Sequence, residues 1–363
     1  MRTHNIGNTK VEYPDLIGFA FNPVVVNIVG GDYGWIGATV TDVSTSSSNS
    51  EKRALFGSAC FFDLSFYTQT AFEDYKEVDY SVSGAKDSRL GRLFSVELDM
   101  YSSAGTLADS FQFNVFVIWG ASKVGERYNG NRTLTWFRNY PFSVGIYSAT
   151  NSNISVTIDG RASTPITTSG QKAWNLMFSG YSASESLEFY LPGSGTTASV
   201  FDHTFDFTFK GLLNTSCRVT FKVDDSSCGV YLRWINRHGM WCYWLFSKGD
   251  ESLQVANDGE FIRNNMQDYS YKNGYHGGSG RKQRKTEESV LPVCAPLVDS
   301  DTYDFLYQLA TSPVVDMFTG YDDNGFARWR AVNVSVGNFV KQRMSLQDFE
   351  VNIILPETNI QSL

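Results

Sequence analysis

At 363 residues, with 42% hydrophobic and 19% charged residues, the chain is too apolar and too sparsely charged to be a disordered polymer. Its 27 Phe, 19 Tyr and 8 Trp could remove roughly 8,000 Å² from water at about 150 Å² each, enough for more than one core; the length predicts two domains, or three. A formal charge of −8 argues against a nucleic-acid binder acting through its overall field, and no apolar run nears the roughly 18 residues of a membrane helix.

Residues Met1 to Asn5 lack the apolar stretch of a secretory signal, so the expectation is a soluble chain made in a cytoplasm. Val24 to Val29 is a β-branched run that stops at Gly30 and Gly31, as a buried strand does. The polar stretch Ser44 to Lys52 reads as a hairpin tip or flexible connection. Tyr67 to Glu77 is a weak helix candidate that Phe72 and Tyr75 could pin to a sheet. Phe111 to Trp119 alternates and then turns wholly apolar, and Ile154 to Ile158 alternates before Asp159 and Gly160. Phe201, Phe205, Phe207 and Phe209 share one face of a period-two run.

Farther on, Asn264 to Glu288 is polar, glycine-rich and basic, and reads as a long loop over 264–288. Asp299, Ser300 and Asp301 are N-cap candidates for a short helix over 302–311, with Phe305, Leu306, Leu309 and Ala310 on one stripe and Pro313 as its stop. A last alternating strand sets Phe349, Val351 and Ile353 against Glu350, Asn352 and Ile354. The fold class expected is mostly β: tandem antiparallel β-sandwich domains with one or two short helices. The expected organisation is a β-sandwich over 1–142, a strand-rich segment over 143–210 and a C-terminal β domain over 211–363.

Cys60, Cys217, Cys228, Cys242 and Cys294 are odd in number and form no CxxC pair, which predicts buried reduced thiols rather than disulfides or a zinc site. The residues from Tyr231 to Phe246 form two alternating strands around Asn236 and Gly239, a turn pair that tolerates positive φ. Trp234, Trp241, Tyr243 and Trp244 in this hairpin are either a platform for sugar rings, which would suit a glycan- or receptor-binding module, or cross-strand core pairs. Arg281, Lys282, Arg284 and Lys285 crowd five positions of the basic loop. They could grip nucleic acid, form a solvated tip, or dock on the acidic flank of a neighbouring subunit.

Asp322, Asp323, Asn324 and Gly325 lack the spacing of a calcium loop and read as a tight turn. No GxSxG, HExxH or phosphate-loop pattern occurs, and paired carboxylates of glycosidase type would come together only in space. No cofactor or metal is expected.

Several stretches resemble a known family: Phe19 to Val26, Phe62 to Ser65, Arg132 to Phe137, Tyr231 to Gly239 with Trp241 to Phe246, Leu309 to Val314, and Leu346 to Pro356. They are similar to virion proteins of tailed bacteriophages and prophages of anaerobic gut bacteria, encoded among tail genes. The resemblance spans nearly the whole chain, in packing and turn motifs rather than chemical ones. It implies β-sandwich domains and a non-enzymatic structural role in a tail-tip ring of distal-tail or baseplate type, commonly six-fold. The implied partners are copies of the chain and other tail proteins, with no membrane or nucleic acid, and the implied location is the virion tail after synthesis in the bacterial host cytoplasm.

Overall fold

The computed structural model describes residues 1–55, 57–72, 84–87, 90–123, 131–148, 152–158, 161–162, 166–168, 172–178, 186–188, 197–199, 204–210, 216–261, 269–272, 274–275, 281–335, 339–355 and 358–362. The fold is mostly β, with antiparallel sheets and two helices, as the composition and alternation led one to expect. Two short pairings are parallel: Ile17–Phe19 with residues 116–118, and Arg132–Phe137 with residues 219–224. By contacts the chain divides into two compact units, residues 1–227, 235–243 and 321–327 in the first, and residues 228–234, 244–320 and 328–363 in the second.

In the first unit a four-stranded sheet (Arg2–Ile6, Thr9–Tyr13, Val25–Val29, Ala59–Asp63) shares one core with a five-stranded sheet (Ile17–Phe19, Leu107–Ile118, Gly91–Tyr101, Trp35–Asp42, Ser47–Ala54). Val11, Val26, Ile28 and Phe62 come from the first sheet, and Ile36, Val40, Val96, Leu98 and Val115 from the second. All are fully or nearly fully buried, because period-two spacing sends every second side chain inward. The polar stretch Ser44 to Lys52 holds the hairpin tip expected of it, but only in its first residues. It is a turn followed by the strand Ser47–Ala54, paired residue for residue with Trp35–Asp42. The Asp42 carboxylate fixes that turn by accepting from the Ser44 N–H at 2.8 Å and the Ser44 hydroxyl at 2.6 Å. The strand carries no apolar pattern because it lies at the sheet edge and is largely exposed.

A nine-stranded sheet, most of whose residues belong to the second unit, runs Ala327–Ala331, Val315–Tyr321, Val230–Ile235, Trp241–Lys248, Arg281–Val298, Gln347–Ile354, Asn333–Val334, with Ser252–Phe261 and Thr358–Ser362 beside the first half of Arg281–Val298. The helix Ser300–Thr311 packs on it through Tyr303, Leu306 and Leu309. Asp299 caps this helix, accepting from the Thr302 N–H at 2.7 Å, as its sequence signature foretold. The weaker helix candidate begins earlier than expected, at Ser65–Thr70, and its predicted second half lies outside the described residues. The start of the phenylalanine-rich run, 201–203, also lies outside them, whereas Thr204–Lys210 is a strand.

Candidate interaction surface

The aromatic hairpin is core. Its turn forms as the sequence indicated: the Asn236 side-chain oxygen accepts from the N–H groups of His238 (3.1 Å) and Met240 (2.9 Å), while Gly239 adopts φ +70°. A Cβ at Gly239 would lie 2.4 Å from the Trp119 carbonyl oxygen, so only glycine fits. All six residues of Val230–Ile235 are buried, and so are Trp241, Cys242 and Tyr243. Trp234 is wholly enclosed, its ring 5.2 Å from that of Phe305 on the helix. Trp244 is half-buried, 6.4 Å from the same Phe305. Tyr243 meets the Phe142 ring at 5.3 Å and shares a 2.6 Å hydrogen bond with the Ser143 hydroxyl. The reading of Trp234, Trp241, Tyr243 and Trp244 as an open platform for sugar rings is therefore corrected at Trp234, Trp241 and Tyr243, which are buried; a stacked sugar needs a free ring face, and Trp244 alone of the four is only half-buried.

Beside them sits a buried ion pair. Arg233, 1% exposed, donates from Nε and Nη2 to one carboxylate oxygen of Asp316, both at 2.8 Å, and its guanidinium lies 4.2 Å from the centre of the Trp329 ring. Such a pair joins neighbouring strands rather than serving a ligand.

The basic cluster is also placed differently. Residues 281–288, expected within a loop, open the 18-residue strand Arg281–Val298. Arg281 pairs with Phe261, Lys282 with Glu260, Arg284 with Asp258 and Lys285 with Asn257. The register thus sets two basic residues opposite acidic ones, and a run that looks repulsive in sequence is accommodated in a ladder. The other side of this strand carries Thr358–Ser362, with Arg284 opposite Ser362 and Lys285 opposite Gln361. The result is a three-stranded ribbon. Its residues 251–257, Arg284 and Lys285 are all exposed, with Leu253 at 62% and Val255 at 56%. Over residues 251–257 both faces of this strand are exposed, and Leu253 and Val255 lie two positions apart on one of them.

In the first unit a hollow of about 320 Å³ opens beside the edge strand Ile17–Phe19, lined by Ile17, Phe19, Asn22, Pro23, Val24 and Val25 among others. Phe21 and Leu16 next to it are 51% and 46% exposed.

Of the five cysteines, Cys217 and Cys242 are buried as expected, Cys60 and Cys294 are half-buried, and Cys228 is exposed; none is paired. Burial pushes the Cys242 thiol up to about 12, against small opposing effects of Arg132 and Asn236. Cys294, Asp348 and Glu350 bring three possible metal-ligand atoms within 4.8 Å of one another. Burial first, then the two carboxylates, push the Cys294 thiol up, toward its protonated and poorly ligating form. Asp348 already accepts from the Leu297 N–H at 2.8 Å. The Asp322 carboxylate is likewise engaged by its own turn, accepting from the N–H groups of Asn324 (2.9 Å) and Phe326 (2.8 Å).

No known family model matches the chain, and no curated protein matches it. Among solved structures, a chain from work described as "Structural insight into host cell surface retention of a 1.5-MDa bacterial ice-binding adhesin" is similar at 12% identity, covering 87% of this chain and 91% of its own, with a TM-score of 0.19. A likeness that loose carries no argument about function. What stands is a β-rich module.

Proposed function

We propose that this chain is a non-enzymatic structural component of a phage tail tip, a subunit that assembles into a ring with its own copies and with other tail proteins. The observation that carries the reading is the exposed ribbon: three strands in register, with Leu253 and Val255 in water and a basic run along the central strand. Exposed apolar side chains on a strand unpaired along one side among the described residues suit a subunit contact, and a permanent assembly buries on the order of 2,000 Å² or more at each one. The sequence resemblance to tail proteins supports the same reading, and so does the burial of Trp234, Trp241 and Tyr243, which removes those rings from glycan recognition.

Light scattering and electron microscopy of the purified chain at micromolar concentration test it. A closed oligomer is the expected outcome. A chain that remains single and joins no tail protein contradicts it.

A further inference from the structure

The edge strand Ile17–Phe19 is open on one side. It pairs in parallel with residues 116–118, and the register fixes which of its groups are used. The Phe116 N–H donates to the Leu16 carbonyl, and the Ala20 N–H donates to the Ile118 carbonyl, each at 2.8 Å. In such a ladder residues 16, 18 and 20 face the partner strand, so the main-chain groups of Ile17 and Phe19 face the other way. The Phe19 carbonyl is met by the Asn22 N–H at 3.0 Å. The Ile17 N–H, the Ile17 carbonyl and the Phe19 N–H have no backbone partner among the described residues. Ile17 and Phe19 both line the 320 Å³ hollow, whose wall is apolar at Pro14, Pro23, Val24 and Val25 and polar at Asn22, Ser122 and the ion pair of the Met1 ammonium with Asp15.

Neighbouring edges are treated otherwise. Ser47–Ala54 is guarded by Glu51, Lys52 and Arg53 along its length. On Ala59–Asp63, the Arg53 guanidinium occupies the Phe61 carbonyl at 3.0 Å. Charge and capping of this kind stop an edge from recruiting a further strand. The strand Ser252–Phe261 has neither device over residues 252–257. It pairs with residues 281–290 on one side, its other side has no partner among the described residues, and Leu253 and Val255 project together from one face.

The geometry points to strand addition between copies: residues 252–257 of one chain lie along Ile17–Phe19 of the next, with Leu253 and Val255 seated in the hollow. The occupant is a second copy because this chain supplies both halves of the match: a hollow with an apolar wall at Pro23, Val24 and Val25 beside main-chain groups unpaired among the described residues, and a strand edge, likewise unpaired among them, carrying two exposed apolar side chains at the matching period of two. The two surfaces differ, so the contact is head-to-tail, the kind that forms a ring when its rotation closes and a filament when it does not. This inference rests on the ring reading above and names its interface.

The test is the full chain with Leu253→Lys and Val255→Lys together, compared with wild type by light scattering, circular dichroism and hydrogen exchange. Both sites are exposed, so the variant is expected to keep the wild-type spectrum. Its self-association is expected to weaken on the order of 100-fold or more, since two aliphatic groups leave an apolar wall and two charges enter. In the wild type, the Ile17 and Phe19 amides are expected to exchange more slowly in the assembly than in dilute monomer, a readout that needs no variant. If wild type never associates, the ring reading and this inference fall together. If wild type assembles and the double variant assembles equally well, or if Ile17 and Phe19 exchange equally fast in both states, only this inference falls. A discrete dimer that protects residues 252–257 and leaves Ile17 and Phe19 unprotected would mean that the ribbon pairs with its own copy, which also overturns it.

Discussion

The aromatic hairpin and the three-stranded ribbon are joined in one sheet and are opposite in character. In the hairpin, residues 230–235 and 241–243 are buried without exception, and an arginine is enclosed with its carboxylate. In the ribbon, every residue from 251 to 257 is exposed, including a leucine and a valine. Residue type reads backwards as a guide to exposure here: the tryptophans that suggest ligand recognition are packed into the fold, and the plain polar strand is the one that leaves apolar side chains in water. Apolar area in a packed interior is already removed from water and can contribute nothing further to binding, while exposed apolar area still can.

The largest effects are expected in the hairpin. Trp234→Ala should destabilise the chain by about 3–5 kcal/mol in denaturant unfolding, the range for a large buried ring replaced by a cavity. Asp316→Ala should cost about 3–5 kcal/mol, because it removes a carboxylate that accepts two hydrogen bonds from a buried guanidinium. Normal stability in either variant would mean that the hairpin is not the core described. Gly239→Ala should cost about 1–3 kcal/mol, through its positive φ and the 2.4 Å approach to the Trp119 carbonyl. In the ribbon, Leu253→Ala should change monomer stability by less than about 0.5 kcal/mol, as exposed substitutions do.

Two chemical probes sharpen the contrast further. Exposed Cys228 should take up a thiol reagent in the native chain at mildly alkaline pH, while Cys242, buried and with its thiol pushed up to about 12, should react only on unfolding; mass spectrometry of labelled peptides reads this directly. The smallest effect concerns Asp42. Burial alone would raise its carboxyl, but hydrogen bonds from Ser44 and Arg92 together with the guanidinium charge outweigh burial and hold it below the ordinary value. A depressed folded pKa stabilises above the unfolded value of about 3.9 and is lost as pH falls through the folded one. Acid titration should therefore weaken the wild type over that window, and Asp42→Asn should flatten that part of the profile.

Much of the architecture was legible because its causes are local. Asp299 and the stripe of Leu306 and Leu309 announce a helix within a dozen residues, and Asn236 with Gly239 announces a turn within four. The readings that changed depend on residues far away in sequence. Ser47–Ala54 is a strand because Trp35–Asp42 pairs with it, and an exposed edge leaves no apolar alternation to read. Arg281 to Lys285 looked like a loop because the acids facing them, Asp258 and Glu260, lie more than twenty positions earlier. The hairpin's alternation was plain, but the covering of its rings by Phe305 and Phe142 comes from separate parts of the chain. The open edge at Ile17–Phe19 has no sequence signature at all, since it is defined by a parallel pairing with residues about a hundred positions away.

The most direct measurement is the mass of the chain in solution by light scattering across the micromolar range. The account predicts a closed oligomer of several chains that dissociates when charge is placed at Leu253 and Val255. A particle of 40.6 kDa at every concentration, with or without other tail proteins present, would contradict it.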